Sequence, residues 1–380
     1  MSEQVILSVV PPPRETEPGA STSPTPLDGL SPGCGGREMW AALGGQGRIR
    51  QVYRGGDPAA GVVPERLGEL LADVDARVGI GTTLAVCVQV ATAVPLLTLG
   101  GEPAARALDA ALAGRSVTAL AATDEGSGSD LTNLGTEVRI GGDGLELNGT
   151  KRWITNATQA DQLLVLARHR PGRHFTNFTW VLVPASTPGV SVEAADTELF
   201  DGSGTGHLRF DRVRLPREHL VGRPGRGLAA FAAHIAVERL AGALWGVALC
   251  RRVLADTQRR LAARQGADGP LWQLGVVRQR YATCVTLVRQ LHALTRELAP
   301  RVAQRHDTTA AALLKSAVGL TLDRVLGECA QLQGAGGFAR DGAQQLRAQA
   351  ALFGIGGGTT EVVLAAVADS TEAILAELGP

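Results

Sequence analysis

The sequence predicts an α+β protein in which an antiparallel β unit stands between two helical units. Three observations predict it. Apolar residues recur with helical spacing over 38–115, apolar and polar residues alternate over 116–222, and helical spacing returns over 223–380. No GxGxxG follows a predicted strand, and the nearest candidate, from Gly354, follows a run that predicts helix. A Rossmann enzyme is therefore disfavoured.

The overall composition excludes several classes of protein. Among 380 residues, 37 acidic side chains balance 37 basic ones, so no bulk charge favours nucleic acid. The five cysteines are scattered without a CxxC pair and predict buried thiols in a reducing cytosol, with no metal site. MSEQVILSVV lacks the basic segment of a signal peptide, and polar residues interrupt the apolar run near 82–99, which predicts a buried helix. We expect a cytoplasmic protein that binds neither nucleic acid nor a membrane.

Each unit can be justified from its local pattern. Residues 1–37 are rich in Pro, Gly, Ser and Thr and predict an irregular arm. The helical unit 38–115 contains PERLGELLADVDARVG, TTLAVCVQVATAVPLLTL and EPAARALDAALAG. In 116–222, GLELNGTKRWIT alternates around Asn148-Gly149, a dipeptide that predicts a two-residue hairpin turn, and QLLVLARHR, FTWVLVPAS and HLRFDRVRLP predict further strands.

The C-terminal unit predicts long helices. One apolar face of the first is formed by residues three, four or seven apart: Leu228, Phe231, Ile235, Gly242, Trp245 and Leu249. Later helices are predicted at about 271–299, 307–334 and 359–377.

Five segments in order resemble the acyl-CoA dehydrogenase family. ALAATDEGSGSDL resembles its T-E-P-x-A-G-S-D segment, and NGTKRWITNATQAD matches N-G-x-K-x-W-I-T-N-x-x-x-A-D almost throughout. GSGTGHLRFDRVRLPREHLVG, QLQGAGGF and GIGGGTTEV are similar to three later segments. The resemblance covers about 38–380 and implies the family fold: an N-terminal helical domain, a middle β domain and a C-terminal four-helix bundle.

The resemblance also implies FAD, held between the β domain and the bundle in a homodimer or homotetramer. Trp153, Ile154 and Thr155 would lie against the isoalloxazine, with Thr155 near N5. Small residues in GSGSD would let backbone N–H groups approach phosphate, and Thr359 suits a helix N-terminus that favours negative charge. Without the resemblance, Trp153 reads as core and GSGSD as a plain turn. The remaining FAD positions that it implies are Leu120, Ala122, Thr123, Gly128, Ser129, Arg264, Gln331, Gly334, Ala335 and Glu361.

A catalytic base is missing from the position where many family members carry it. The glycine-rich loop has Gly357 there, which offers only its N–H. Members that resemble isovaleryl-CoA and long-chain acyl-CoA dehydrogenases carry the base in an E-R pair on the first bundle helix, and AVERLAG matches with Glu238. Glu238 also lies on the apolar face, where burial raises a carboxyl pKa, and Gly242 one turn on leaves room for a ligand. A structural ion pair with Arg239 is the rival explanation; Glu361 is the other candidate acid.

The implied activity is α,β-dehydrogenation of an acyl thioester, carried by CoA or an acyl carrier protein. Electrons would pass to an electron-transfer flavoprotein or another acceptor. Two alternatives stay open: a flavin monooxygenase on the same scaffold, and a non-catalytic acyl-carrier-binding relative. The sequence departs from the family at Ala267, where an aromatic residue is expected, and at 348–350, where A-Q-A replaces R-D-A.

Overall fold

The N-terminal helices pack as a layer beside the β unit. A computed structural model of the chain describes residues 29–31, 33–126, 128, 130–267, 269–340 and 342–379, so most of the predicted arm lies outside the described residues. Cys34 is already buried, and the first helix begins at Gly36. The helices are α1 Gly36–Gly45, α2 Arg48–Gln51, α3 Pro64–Arg77, α4 Ile80–Val88, α5 Val94–Leu97 and α6 Glu102–Leu112.

One π-helical segment, Gln89–Ala93, joins α4 to α5. Pro95 lies two residues after its end and has no N–H for the α-helical pattern, so the wide turn lies where that pattern is weakest. The predicted buried helix is confirmed, because 94% of the apolar window Ile80–Leu97 lies inside the protein. By length and composition, two further described stretches, Gly227–Ala263 and Ala343–Asp369, are also apolar enough to cross a membrane.

The β unit is one eight-stranded sheet. Its order is β6-β7-β3-β2-β4-β5-β8, and β1 pairs with β4 in parallel. Alternate residues of β4 and β5 face two different cores: Leu163 and Val165 face the interior of the β unit, whereas Leu164 and Trp180 face α5, α6 and the start of α7. The strands are β1 Thr118–Ala121, β2 Glu137–Gly141, β3 Gly144–Ile154, β4 Gln162–Arg168, β5 Phe178–Pro184, β6 Val190–Ala194, β7 Gly206–Leu215 and β8 Leu220–Val221.

The predicted hairpin turn at Asn148-Gly149 is wrong. Both residues lie inside β3, and the turn is at 142–143, between the paired residues Gly141 and Gly144. Asn148 instead stabilises a bulge: its Oδ1 accepts a hydrogen bond from the Arg212 N–H at 2.8 Å, where the β3–β7 register shifts. Gly149 has φ +140°, and a Cβ there would lie 2.5 Å from Thr136 Cα, so the glycine serves close strand packing.

The C-terminal unit is a helical bundle, as predicted. Its long helices are α7 Gly227–Ala263, α8 Gly275–Arg305 and α9 Thr308–Gln333, with a two-strand ribbon (β9 Gln265–Gly266, β10 Gly269–Pro270) after α7. The helix predicted at 359–377 is instead two helices, because the helical geometry is interrupted at Ser370. The last helices are α10 Ala343–Ala350, α11 Leu352–Ile355, α12 Thr360–Asp369 and α13 Thr371–Glu377. All five cysteines are buried thiols, as predicted.

Candidate active site

Glu238 lies where the bundle meets the N-terminal helices. It is on α7, and its Oε2 accepts a hydrogen bond from the Thr92 hydroxyl at 2.6 Å. Thr92 belongs to the π-helical segment, whose Gln89 Oε1 accepts from the Thr118 N–H at 3.0 Å at the start of β1. The π segment therefore connects the acid to the first strand of the β unit.

The glycine-rich loop lies directly beside this acid. Gly357 and Gly358 have φ +74° and +101°, a backbone region that favours glycine. A Cβ on Gly357 would stand 4.0 Å from Glu238 Oε1. The Gly357 carbonyl accepts a hydrogen bond from Arg239 Nε at 3.0 Å, whereas the Gly357 N–H has no hydrogen-bond partner among the described residues. The two predicted catalytic residues are thus neighbours.

Burial keeps the carboxyl of Glu238 protonated to a higher pH than usual. Burial raises its pKa, and the Thr92 hydrogen bond, Arg239 and Lys315 oppose that rise. Lys315, on α9, is buried and donates a hydrogen bond to the carbonyl of Phe353, the residue before the loop. Burial lowers the pKa of Lys315 to about 8. Arg239 directs its Nε to the loop, and the hydrogen bond of Glu238 comes from Thr92, which weakens the explanation of Glu238 as one half of a structural ion pair.

Open space adjoins the acid at Gly242. A Cβ built on Gly242 meets no atom within 4 Å. One turn further along α7, a Cβ on Gly246 would lie 2.4 Å from Val318 Cγ2, so that position is filled by close helix packing. Gly246 is therefore required by close helix packing, whereas Gly242 borders open space. This is the room that the sequence predicted one turn after Glu238.

A second group of predicted residues gathers around β1 and β3. Thr123 Oγ1 donates to the Arg152 carbonyl at 2.8 Å, and the Arg152 N–H donates to the Thr123 carbonyl at 3.1 Å. Lys151, which is fully buried, donates to the Ala122 carbonyl at 2.8 Å and forms a 2.5 Å ion pair with Asp124. This lysine fixes the start of the loop that continues to Gly128; Ser129 lies outside the described residues.

Trp153 is exposed, so the reading of this residue as core is wrong. Its side chain is 59% exposed at φ +57°, with its ring edge-on to that of His207. A positive φ at a bulky residue is uncommon and marks a constrained position. The neighbouring Ile154 is buried, Thr155 is half-buried and Leu120 is half-buried at the end of β1.

A third group lies at the far end of the bundle. A Cβ on Gly334 would come within 3.0 Å of Arg264 Nη1, which places these two predicted residues together. Gln331 and Ala335 are exposed beside them. Thr359 and Glu361 lie apart from this group, at the start of α12 beside the glycine-rich loop: the Thr360 hydroxyl donates to the Gly354 carbonyl at 3.2 Å, and the charge of exposed Glu361 opposes the fall in the pKa of Lys315. The structure thus brings the predicted residues together in three groups.

Comparison with known proteins identifies the family. Residues 119–213 match the family model for the acyl-CoA dehydrogenase middle domain, and residues 225–371 match that for the acyl-CoA dehydrogenase C-terminal domain. The chain belongs to the acyl-CoA dehydrogenase family. Within this family, the acyl-(acyl-carrier-protein) dehydrogenase MbtN of Mycobacterium sp. (strain MCS) is 32% identical over 266 residues, which cover 68% of this chain and 67% of that protein.

Solved structures of the acyl-CoA dehydrogenase fold agree. The acyl-CoA dehydrogenase from Geobacillus kaustophilus superposes with a TM-score of 0.83 at 20% identity, covering 91% of this chain and 94% of that one. A structure titled "FAD complex of PigA" gives a TM-score of 0.82 at 20% identity, covering 88% and 89%. The predictions of family, fold and oxidoreductase class are confirmed.

Three residues around the acid make contacts that the sequence reasoning did not predict, although Arg239 was considered as an ion-pair partner. Thr92, Arg239 and Lys315 respectively bind the acid, the loop carbonyl and the residue before the loop. A signal existed for two of them: Thr92 interrupts an apolar run, and Lys315 is a lone lysine in the apolar stretch AAALLKSAVGL. Buried polar side chains need partners, but the sequence does not say which partners these are.

Proposed function

We propose that the chain catalyses FAD-dependent α,β-dehydrogenation of an acyl thioester, with Glu238 as the base. The observation that carries this proposal is the carboxylate of Glu238 beside Gly357, whose N–H has no partner in the described part of the chain, and the open space at Gly242. A reaction that makes an enolate needs a base at one atom and a hydrogen-bond donor at another, and these side-by-side groups match that need.

The chain's residues divide the work on the substrate. Glu238 takes the α-proton, and its raised pKa brings the carboxyl nearer the range of an effective base. The Gly357 N–H binds the thioester oxygen as it gains negative charge. Arg239 holds the Gly357 carbonyl, which fixes the orientation of the loop. Residues 153–155 would hold the flavin ring, and FAD would supply the acceptor, at N5, for the β-hydrogen as hydride.

The two remaining groups fit a flavin nucleotide. Trp153 presents an exposed aromatic surface, and Cβ atoms on Gly126 and Gly128 would meet nothing within 4 Å, so a ligand has access to the loop backbone. We assign Leu120, Ala122, Thr123 and the residues 153–155 to the ring and its near phosphate. Arg264 beside Gly334 supplies a guanidinium suited to a pyrophosphate, and the start of α12 supplies free N–H groups. Gln331 and Ala335 complete that half, whereas Thr359 and Glu361 would contact the nucleotide from beside the glycine-rich loop.

The assigned FAD contacts also bear on the oligomeric state. FAD contacts assigned to the β unit and to the far end of the bundle fit a homodimer or homotetramer in which two subunits share each flavin. We also propose that electrons leave to an electron-transfer flavoprotein or a similar acceptor, and that the protein works in the cytoplasm.

Substitution of the acid tests the proposal. Glu238→Gln keeps the shape of the side chain but cannot accept a proton. We expect a yellow holoprotein whose flavin bleaches at least about 100-fold more slowly, because loss of a general base costs about 10²–10⁴-fold. The measurement is anaerobic titration with short-chain acyl-CoAs and acyl-carrier-protein thioesters. Glu361→Gln removes the other candidate acid, and per bound FAD it should bleach at the wild-type rate.

The outcomes separate the alternatives. A fully active Glu238→Gln protein would remove Glu238 from the mechanism. Rapid oxygen uptake by the reduced protein, with oxygen incorporated into product, would favour the monooxygenase. Tight thioester binding with an unchanged flavin spectrum in the wild type would favour a non-catalytic relative.

A further inference from the structure

A cleft lined by basic residues lies at the N-terminal end of α7, on the edge of the β unit. Its volume is about 280 Å³, and its lining includes His169, Arg170, Phe175, Arg223 and Arg226. We call it the basic cleft. The three arginines are exposed, and none forms an ion pair with a carboxylate among the described residues. The chain has no net charge, so this concentration of unpaired cations is a local feature.

The basic cleft is held in shape by backbone hydrogen bonds. The Gly225 N–H donates to the Phe178 carbonyl at 3.1 Å, and the His169 N–H donates to the Asn177 carbonyl at 2.8 Å. Gly225 has φ +86°, and a Cβ there would lie 2.8 Å from the Thr176 carbonyl oxygen, so the two segments approach closely. The cations are therefore mounted on a pre-formed surface.

The lining of the basic cleft also includes an exposed aromatic side chain. Phe175 is 54% exposed, with its ring 4.7 Å from that of His174. Arg173 lies nearby on the same loop and pairs with Asp130. An exposed aromatic residue with a rim of arginines is typical of protein–protein interfaces and is wider than a single phosphate requires.

The basic cleft and the proposed base share one helix. Arg226 precedes α7 directly, and Glu238 lies eleven residues after its first residue, Gly227, or about 16 Å along the axis at 1.5 Å per residue. Ala232, six residues before Glu238, is exposed and lies about 120° around the helix from it, so solvent reaches α7 between the cleft and the acid. A flexible arm that starts at the cleft can follow the helix towards the acid.

We propose that the basic cleft docks an acidic acyl carrier protein, whose phosphopantetheine arm delivers the acyl thioester to Glu238. This inference rests on the proposed thioester function and names its carrier. Charge complementarity favours an acidic protein surface, the phosphodiester at the base of the arm adds a further anion, and Phe175 supplies the apolar contact. The relative MbtN, named as an acyl-carrier-protein dehydrogenase, is consistent with such a partner.

The test measures binding and is independent of turnover. Fluorescence anisotropy is recorded with FAD-loaded protein and three probes: an acidic acyl carrier protein with its phosphopantetheine arm, the same protein without the arm, and CoA. We expect wild type to bind both carrier forms with an affinity that falls as salt rises. Arg170→Glu/Arg223→Glu should weaken both by about tenfold or more, because like charges then face each other. Arg170→Ala/Arg223→Ala should give a smaller loss.

The control carries the same change in charge at the other end of β4. Arg115 and Arg217 are exposed, and their neighbours Thr118 and His219 contact the sheet at Gln162 and Leu182, about 20 Å from His169 at roughly 3.3 Å per strand residue. Arg115→Glu/Arg217→Glu should leave carrier binding within about twofold of wild type. FAD content and melting temperature confirm that all variants fold.

Two results overturn the inference. One is a wild type that binds neither carrier form, or a control that loses as much affinity as the cleft variant. The other is an armless carrier that never binds while the cleft substitutions weaken CoA and the armed carrier equally, which indicates a phosphate subsite only. Anaerobic flavin bleaching of wild type by acyl-CoA is scored separately, so a failure of the thioester function is distinguished from a failure of docking.

Discussion

Thr92 is the residue that acts most directly on the pKa of the proposed base, because its hydroxyl lies 2.6 Å from Glu238 Oε2. It donates to the charged form and so lowers the pKa that burial raises. Thr92→Val removes the donor but keeps the branched shape, and the pKa of Glu238 should rise further. Because a base must be ionised, the acid limb of kcat/KM against pH should move to higher pH, with the rate restored at alkaline pH.

A pH profile of this variant is informative because a merely structural role would lower the rate at every pH. Thr98→Val is the control, since the Thr98 hydroxyl donates to the Pro95 carbonyl on the same helical stretch and does not contact the acid. An acid limb that stays in place in Thr92→Val would show that Thr92 does not set the pKa of the base.

At this scale the sequence predicts the acid but not its partners. Glu238 could be found because an acid on an apolar helical face must be buried, and burial has a chemical consequence. Three residues from separate elements surround Glu238 and the glycine-rich loop: Thr92 from the π segment, Arg239 from α7 and Lys315 from α9. Such meetings depend on how helices pack, which local spacing does not encode.

Two glycines of α7 differ in their surroundings, and alanine substitutions can measure the difference. Gly242 borders open space, whereas a Cβ on Gly246 would lie 2.4 Å from Val318. Gly242→Ala should therefore raise the free energy of unfolding by up to about 1 kcal/mol through helix propensity. Gly246→Ala should lower it by about 1–3 kcal/mol through overpacking. Urea unfolding of the two variants measures the difference.

The same pair of positions probes the substrate space. Gly242→Leu fills the opening beside Glu238 and should raise KM for acyl thioesters while the flavin spectrum stays unchanged. If Gly242→Ala destabilised the protein as much as Gly246→Ala, Gly242 would be closely packed and there would be no open space beside the acid.

Element types were largely predictable, whereas their junctions were not. The long helices and the strands of 116–222 carry strong periodicity, which survives any packing arrangement. Asn148-Gly149 has the local chemistry of a hairpin turn, but Gly149 is needed where β3 crosses close to Thr136, so packing overrides turn propensity. The π segment also has no local signature apart from Pro95.

On the scale of the whole molecule, the C-terminal helices expose an unusual amount of apolar surface. Only 17% of the apolar window in Ala343–Asp369 is buried, and Ile355 and Val362 are 66% and 53% exposed. Phe338, which follows the assigned FAD residues Gln331 and Ala335, is 76% exposed. Exposed apolar side chains in this number are typical of an interaction site, and a second copy of the chain would bury them as the proposed homo-oligomer requires.

Charges placed on this surface should therefore separate the subunits and release the cofactor together. For Ile355→Asp/Val362→Asp we expect sedimentation velocity to shift towards monomer and the bound-flavin absorbance to fall, because each flavin would lose the contacts from a second subunit. Val192→Asp, at a 42% exposed position on the edge strand β6, is the control and should change neither. A monomeric wild type that retains FAD would contradict shared binding, and dissociation without loss of flavin would place all cofactor contacts within one chain.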